Sequence, residues 1–446
     1  MSNTVIHLNE NSLNSELTLR NLTRLSNSEN HIIVVAASKN ILSSVFSVAH
    51  ILVDNRADSN LIINAVKSDI SNLIDSYNIE KTDEINNLIK CIETLLKGVN
   101  YTGSLSPMLL DKMLSYIDKM SALIFSEYIK TNGIANKYIT PEELRLMVTE
   151  EYSNATILLQ NDLQNLNVSI LENINIVPGS HGISKSGRTV RTGFQAADYT
   201  ASALASLLNA ERLELWNIDT PFRTADPRII PDAKLIDELS YAEASELAYF
   251  DSCLNIHPRI VDPLLYNNIP IEVYHIDING RNLATKISST EKINLEVVKS
   301  IAYTNDIAIV KLNGSGVGVK SGILAKITTS LHHNDINIRS VITAQTSINF
   351  IIEKQDIQLA EKIIADLDLL SICEFEVKDN VTLIAIIGHG MQNIHGISSN
   401  LFTAMANIQT NVLLSGSGAS DLVSYIIVNE NDEEKAIKEI HKTFFK

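Results

Sequence analysis

The sequence predicts a mixed α/β domain over about residues 1–290, followed by two copies of a smaller βαββα unit. Three observations lead to this prediction. Short apolar runs typical of buried strands alternate with amphipathic helices through the first part of the chain, an order that builds helix-covered sheets. From about residue 297, one order of strands and helices occurs twice at a period of roughly 75 residues. The length of 446 residues and the apolar content of 45% suffice for two or three domains.

The charge balance and the cysteines argue against several classes of protein. The formal net charge is −16, so nucleic acid and an anionic membrane surface are unfavourable partners. Cys91, Cys253 and Cys373 are isolated, which suggests neither a disulfide framework nor a metal site. The N-terminal residues lack the pattern of a signal peptide, and no apolar run is long enough to cross a membrane. We therefore expect a protein of the reducing cytoplasm.

The first half of the α/β domain begins with two strands, Thr4–Leu8 and His31–Ala37. Residues 45–100 are expected to be largely helical. Asp111–Lys130 has the spacing of an amphipathic helix, and Glu142–Asp162 is expected to contain another helix.

In the second half of the domain, strands and helices alternate as is typical of a nucleotide-binding fold. Asp198 precedes a helical period and is predicted to be its N-cap. The other predicted elements are a strand at Asn173–Pro178, a loop at Gly179–Gly187, a strand at Arg212–Trp216 and a helix at Tyr241–Phe250.

The repeated part of the chain predicts two ferredoxin-like units. The first copy is expected to contain strands and helices at Asp306–Leu312, Ile323–His333, Asn337–Thr343, Ile348–Glu353, Asp356–Leu367 and Ile372–Val377. The second copy is expected at Val381–Ile387, Ile397–Ala406, Val412–Ser415, Leu422–Val428 and Glu433–Phe444.

Several short motifs between Gly187 and Pro258 resemble the aspartokinases in order and spacing. The matching positions are Asp198-Tyr199, Trp216, Asp226-Pro227-Arg228, Phe250 and His257-Pro258. The resemblance implies the three-layer α/β sandwich of the amino-acid kinases, also called carbamate-kinase-like, with ATP and Mg²⁺ as cofactors. It implies transfer of a phosphoryl group from ATP to the β-carboxylate of L-aspartate. This reaction belongs to the biosynthesis of lysine, threonine and methionine.

The resemblance places His7 at the position of the family lysine that neutralises phosphate charge. The two glycines that follow in the family pattern are replaced by Asn9 and Glu10. A histidine is mostly neutral at pH 7, and a carboxylate about 4 Å from a phosphate oxygen is repelled by about 4 kcal/mol at an effective dielectric constant of ~20. The alternative for His7 is an ordinary histidine at a strand end.

On the acceptor side, Asp118 stands where the family has the glutamate that contacts the amine of aspartate. Its alternative is a solvated pair with Lys119. Phe194 replaces the arginine that clamps the substrate carboxylate. Asp198 matches an active-site acid of the family, although a role as helix cap would also explain it.

On the nucleotide side, the resemblance assigns Trp216 and Arg228 to ATP binding. A salt bridge that closes the turn at Asp226 is the alternative for Arg228. Ile218 replaces an acidic residue of the family pattern. Lys39, Lys185 and Arg191 are candidates for replacing lost positive charges.

The repeated units resemble the paired ACT domains of aspartokinases, at residues 303–378 and 379–446, with a strand at 295–302 able to complete the second. Such domains bind amino acids across subunit interfaces, which implies a homodimer and an amino-acid effector. The resemblance assigns the effector pocket to Lys320, Ile323, Leu324, Ile338 and Arg339. A strand-to-helix turn would also account for the glycines between Gly314 and Gly322.

The altered polar positions favour a catalytically impaired aspartokinase-like protein, or pseudoenzyme, with a retained sensing tail. It would act as a regulatory or scaffold partner of another aspartokinase. A divergent but active aspartate kinase, under feedback control and using Asp118, Asp198 and Arg228, is the alternative. A kinase for a different acid is a third possibility, because Phe194 and Leu42 make the acceptor pocket more apolar.

Overall fold

The structure is a computed structural model that describes residues 3–26, 29–54, 59–159, 166–217, 222–250, 256–290, 297–314, 317, 321–334, 336–367, 374–418 and 420–445. The chain divides into two compact units. The first contains residues 1–222, 237–245 and 256–290, and the second contains residues 223–236, 246–255 and 291–446. Within the described ranges, every helix is too short or too polar to cross a membrane.

The first unit contains ten strands and the helices that connect them, in the described part of the chain. They are β1 (Asn3–Leu8), α1 (Glu10–Leu13), α2 (Glu16–Leu22), β2 (Asn30–Val35), α3 (Lys39–Val53), α4 (Ser59–Ser76), α5 (Asp83–Thr102), α6 (Pro107–Thr131), β3 (Lys137–Tyr138), α7 (Pro141–Leu144), β4 (Ile174–Pro178), β5 (His181–Ile183), β6 (Thr189–Arg191), α8 (Ala197–Leu207), β7 (Arg212–Asn217), β8 (Glu238–Ser240), α9 (Tyr241–Phe250), α10 (Asp262–Leu265), β9 (Ile271–Ile276) and β10 (Arg281–Ser288). Helix α9 starts in this unit and its last five residues belong to the second unit.

Eight of these strands form one sheet in the order β3-β4-β2-β1-β7-β9-β10-β8. All neighbours are parallel except β9 and β10. Strands β1, β2 and β4 are almost wholly buried, which explains why they read as continuous apolar runs rather than as an alternating pattern.

Helices cover both faces of the sheet. Ile6 and Leu8 of β1 pack with α3 to α6 in one large core, while α8 packs against β1, β2 and β7. Gly179, which follows β4, lies so close to α8 that a Cβ atom there would be 2.5 Å from the Ala197 Cβ atom. The resulting three layers confirm the α/β sandwich that the sequence predicts.

Two of the elements predicted for the first unit differ in the structure. In the described residues up to 159, the helix expected within Glu142–Asp162 is only the short α7, because Arg145 takes a left-handed conformation with φ of 58°. The chain then runs extended, and Met147 and Val148 form β-bridges with Ile183 and Ile157. The loop expected at Gly179–Gly187 is partly the hairpin of β5 and β6.

The second unit contains the repeat. Its elements are β11 (Ser300–Thr304), β12 (Ile307–Asn313), α11 (Ile323–His332), β13 (Ser340–Thr343), β14 (Ser347–Glu353), α12 (Ile357–Asp366), β15 (Glu374–Lys378), β16 (Val381–Ile387), α13 (Ile397–Asn407), β17 (Leu414–Gly416), β18 (Val423–Asn429) and α14 (Glu433–Phe444). The two copies have the same strand order when each sheet is read from the edge strand that follows its first helix. The order is β13-β14-β12-β15 in the first copy and β17-β18-β16-β11 in the second. Strand β11 pairs with β16, so the strand that precedes the first copy lies in the sheet of the second.

Candidate functional site

The candidate site of the first unit lies where the parallel strands β1, β2, β4 and β7 end. The described loops after β1, β2 and β4 lie at one edge of the sheet, where Glu10 accepts from Lys39 and Gly179 lies against Ala197 in the first turn of α8. Ligands of open α/β sheets bind at such carboxyl edges, and most of the residues assigned from the sequence to the first unit fall in or beside these loops.

The loop after β1 is held by its own polar side chains. His7 is buried, and burial lowers the pKa of its imidazole to about 4. Asn9 caps α1 by accepting the backbone N–H of Ser12 at 3.0 Å. Glu10 accepts the backbone N–H of Lys39 at 2.9 Å, and the N-cap residue of α3 provides no side-chain hydrogen bond of its own. The Glu10 carboxylate therefore occupies the N-terminus of α3, a position that favours an anion.

Asp118 of α6 forms a buried ion pair with Arg191 of β6. The Nε and Nη2 atoms of Arg191 each donate to Asp118 at 3.1 Å, and both side chains are about 3% exposed or less. The Nδ1 atom of His181 lies 3.5 Å from the same carboxylate and 3.0 Å from the Gly179 carbonyl oxygen. Asp118 is thus paired inside the protein rather than with Lys119, whose ammonium contacts Glu142 at 2.6 Å.

Asp198 lies in the first turn of α8 and joins two segments of the site. Its prediction as N-cap was wrong, because α8 begins at Ala197 and Ala196 takes the cap position. Its carboxylate accepts the backbone N–H groups of Tyr199 at 2.7 Å and His257 at 2.6 Å. Burial raises the pKa of Asp198 to about 7, against the effect of these donors.

Tyr199 connects α8 to the loop that contains His257. Its hydroxyl accepts from the backbone N–H of Ile157 at 3.2 Å and from Arg259 at 3.0 Å. The ring of His257 stacks on the ring of Tyr199, and burial lowers the pKa of this histidine to about 4. Neutral His257 and the bound Arg259 fix the loop against α8.

Trp216 belongs to a polar network on one face of the sheet. Its ring is fully buried, and its Nε1 atom donates to Glu214 at 2.7 Å. Glu214 also accepts from Arg212 and Arg281, and the Arg281 guanidinium lies 5.3 Å from the centre of a Trp216 ring. The indole is therefore engaged by side chains of the sheet.

Arg228 lies in the second unit and forms the turn-closing ion pair that the sequence offered as an alternative. Its guanidinium binds both carboxylate oxygens of Asp226, and its backbone N–H donates to the same carboxylate at 2.8 Å. Tyr303 also donates to Asp226 at 2.9 Å. Ile218, assigned to the nucleotide side, lies outside the described residues.

The effector positions of the second unit surround the start of α11 and the strand that follows it. Lys320 lies outside the described residues. Ile323 is buried, Leu324 is 40% exposed, and Ile338 packs against the core of the first repeat. Gly322 caps α11 with φ of 88°, a conformation that favours glycine whether or not a ligand binds.

Arg339 has several weak contacts within the second unit. Its Nη1 atom donates to the Tyr249 carbonyl at 3.3 Å, its Nη2 atom to Glu353 at 3.4 Å, and it lies over the Tyr249 ring. Its Nε atom is buried and has no hydrogen-bond partner among the described residues. The guanidinium thus retains capacity for a further acceptor.

The sequence indicated some of these residues poorly. Arg191 was predicted only as one of three residues that could replace a lost positive charge. Of these three, Arg191 is buried, whereas Lys39 and Lys185 are exposed. His181 was missed, although a histidine just beyond a buried strand is a signal of a possible site. Groups of three or more His, Cys, Asp or Glu side chains able to hold a metal are absent from the described part of the chain.

Comparisons with known proteins agree on one family. Residues 4–275 match the amino acid kinase family, and residues 310–366 and 384–444 match an ACT domain. The lysine-sensitive aspartokinase 3 of Escherichia coli is 24% identical over 373 residues, which cover 81% of each chain. A bifunctional aspartokinase/homoserine dehydrogenase of Buchnera aphidicola is 24% identical over 73% of this chain, which spans only 41% of that relative. The crystal structure of E. coli aspartokinase III with aspartate and ADP superposes with a TM-score of 0.82 at 21% identity, covering 99% of this chain and all of that one.

Proposed function

Because the chain belongs to the amino acid kinase family and continues into two ACT domains, as aspartokinases do, we propose that it is an aspartokinase-like protein with an impaired phosphoryl-transfer site and a retained amino-acid-sensing tail. It would act in the cytoplasm as a regulatory or scaffold partner of an active aspartokinase. Since the chain spans less than half of the bifunctional relative, the reaction of that protein enters only as part of this proposal.

The observation that carries the proposal is the loop after β1. The family lysine position is His7, whose pKa of about 4 leaves it neutral near pH 7. Glu10 already holds a backbone N–H at the N-terminus of α3. Phosphoryl transfer depends on positive charge and free N–H groups around the phosphates. This loop offers a neutral ring and a carboxylate instead, so it does not fit the phosphates of MgATP.

The acceptor side gives independent support. If Asp118 corresponds to the glutamate that contacts the substrate amine, Arg191 has taken the place of that ammonium, because it binds both oxygens of the carboxylate. Phe194, at the position of the carboxylate clamp, is 48% exposed and has no donor to offer. An amino acid would have to displace a buried ion pair in order to bind here.

Calorimetry with MgATP tests the nucleotide side. We expect a dissociation constant above about 100 μM, equivalent to roughly −5.5 kcal/mol. A matched variant with His7→Lys, Asn9→Gly and Glu10→Gly restores the family pattern and should bind more tightly than the natural chain. Tight binding by the natural chain would contradict the proposal.

A coupled assay for ADP release dependent on L-aspartate tests turnover. We expect no rate above background. A rate within the usual enzyme range of roughly 1–10³ s⁻¹ would favour the divergent active kinase instead. Asp118→Ala should then abolish the activity, and an unaffected variant would show that Asp118 is not the substrate contact.

The tail is proposed to bind an amino acid in a homodimer through its ACT domains. Arg339 supports this, because its contacts of 3.3 and 3.4 Å are long for a cation and its buried Nε atom is unpaired among the described residues. An effector carboxylate would form shorter, charge-assisted hydrogen bonds. A lysine side chain would meet the guanidinium unfavourably, so lysine should be a poor effector.

Thermal shift of the full chain with each of the twenty amino acids tests the tail. An effector at about 100 times its dissociation constant should stabilise the protein by about 2.7 kcal/mol. Arg339→Ala should remove that shift, and Arg188→Ala, an exposed arginine of the first unit, should leave it unchanged. No shift with any amino acid, or a strong lysine shift that survives Arg339→Ala, would contradict this part of the proposal.

A further inference from the structure

Helices α4 and α5 form a groove in which lysines are concentrated, away from the site at the sheet edge. The groove has a volume of about 510 Å³ and is lined by Lys67 of α4, Lys81 before α5, and Lys90 and Lys97 of α5. Among the described residues of the lining, Glu93 is the one acid. Four cations and one carboxylate leave an excess of three positive charges, in a chain whose net charge is −16. Such a local reversal of sign attracts anions by long-range electrostatics.

Three of the four ammonium groups are held in place by neighbouring side chains. The carboxylate of Glu93 binds Lys67 at 2.9 Å and Lys97 at 2.7 Å. Hydrogen bonds from Lys97 and Lys67 lower the pKa of Glu93 to about 2, so it stays ionised and keeps both lysines together. Lys81 donates to the hydroxyl of Ser71 at 3.0 Å. Because these lysines are already oriented, less side-chain entropy is lost when they bind a ligand.

The sequence explains why the groove is elongated. Asn86, Lys90, Glu93 and Lys97 recur at the helical spacing and lie on one face of α5. At about 1.5 Å per residue, this row is roughly 16 Å long. Its length suits a chain of several charged groups better than a single small ion.

The number and the spacing of the charges favour an extended anion with several negative charges, such as a phosphate chain. The described residues of the lining include no arginine, so such a ligand would be held by point charges rather than by a planar fork. These described residues also include no aromatic ring on which a nucleobase could stack. Lysines act as point charges for phosphate, and Asn86 and Thr94 add hydrogen-bond donors beside them. Ile89 is the one apolar side chain that the structure describes in this lining.

We infer that the groove between α4 and α5 is a binding site for an oligophosphate, recognised through its phosphate chain and without a contribution from a base or from Mg²⁺. The ligand carries at least three phosphates and lies along the row of α5. Inorganic polyphosphate and the phosphate chain of a nucleotide share this chemistry.

Calorimetry of the full chain with inorganic tripolyphosphate, without Mg²⁺ and at low salt, tests the site. We expect a dissociation constant below about 100 μM, weakened at least about tenfold between 50 and 300 mM NaCl as the screening length shortens. Mg²⁺-free ATP should bind with the same affinity if the phosphate chain alone is recognised. Citrate, which has three carboxylates and no phosphate, should bind at least about tenfold more weakly.

Variants of the exposed lysines locate the binding. Lys81→Gln and Lys90→Gln should each weaken tripolyphosphate binding about fivefold, and the double variant about twenty-fivefold, in line with single solvated ion pairs. Lys362→Gln, an exposed lysine of α12, is the matched control and should have no effect. Circular dichroism and melting of each variant show whether the fold is retained.

Absence of heat with tripolyphosphate, equal affinity for citrate, or an unchanged double variant would each overturn the inference. This site is independent of the proposed function. MgATP binding measured in the Lys81→Gln, Lys90→Gln background reports on the sheet-edge site alone, so the two proposals fail separately.

Discussion

Replacement of Arg191 by methionine should destabilise the first unit strongly. The side chain of Asp118 is 1% exposed and receives two hydrogen bonds of 3.1 Å from this guanidinium. Methionine fills a similar volume but leaves the carboxylate buried with only His181 at 3.5 Å. Removing one partner of a buried ion pair typically costs about 3–5 kcal/mol. For a unit of this size we expect the melting temperature to fall by about 6–10 °C.

The assay is urea unfolding followed by circular dichroism, with a double-mutant cycle. Asp118→Leu with Arg191→Met removes both charges, and it should recover most of the loss because an apolar pair of similar volume needs no partner. The backbone N–H of Arg191 donates to Asp111 at 2.9 Å and is unaffected by the side-chain change. Arg188→Met is the control, because its ion pair with Glu150 is exposed and should contribute nothing measurable.

Two results would refute this reasoning. A loss below about 1 kcal/mol for Arg191→Met would mean that Asp118 is solvated or protonated without its partner. A double variant as unstable as the single one would mean that packing, rather than the charge pair, determines the cost.

Three further predictions concern pH and helix capping. In the natural chain, the free energy of unfolding should fall by about 3 kcal/mol as pH falls from 6.5 to about 4, because the pKa of His7 is depressed in the folded state and protonation favours unfolding. His7→Asn should remove this loss. Urea midpoints measured across that pH range check the prediction. Asp198 should have the opposite effect, because its pKa is raised in the folded state. The free energy of unfolding of the natural chain should fall by up to about 4 kcal/mol as pH rises from 3.8 to about 7, and Asp198→Asn should abolish this fall. Equal pH slopes of the free energy of unfolding for the variant and the natural chain would contradict the prediction. Glu10→Ala should cost about 1 kcal/mol through the lost cap of α3, and Glu10→Gln, which still offers an oxygen, should cost less in the same unfolding measurement.

The sequence alone predicted the fold class and the family, and both are confirmed. Buried parallel strands such as Asn30–Val35 need apolar side chains on both faces, so they are visible as runs whatever their neighbours. The repeat was equally visible because each copy must bury its own core, and the element order therefore recurs in the chain. The helix expected within Glu142–Asp162 is only α7 in the described residues up to 159, because the chain turns at Arg145 and Met147 and Val148 then form β-bridges instead of helical turns.

The site residues were only partly predictable, because their roles depend on partners that are distant in the chain. Asp118 alone indicated a substrate contact, and only the tertiary structure brings Arg191, 73 residues later, onto both of its oxygens. Trp216 alone indicated a nucleotide contact, and only the order β7-β9-β10 in the sheet brings Arg281, 65 residues later, to its ring. A sequence determines which charges and rings a protein has and which local elements form. Whether a charge faces a ligand or another charge is decided by packing, since a buried ionised group must be paired by whatever the fold brings within reach.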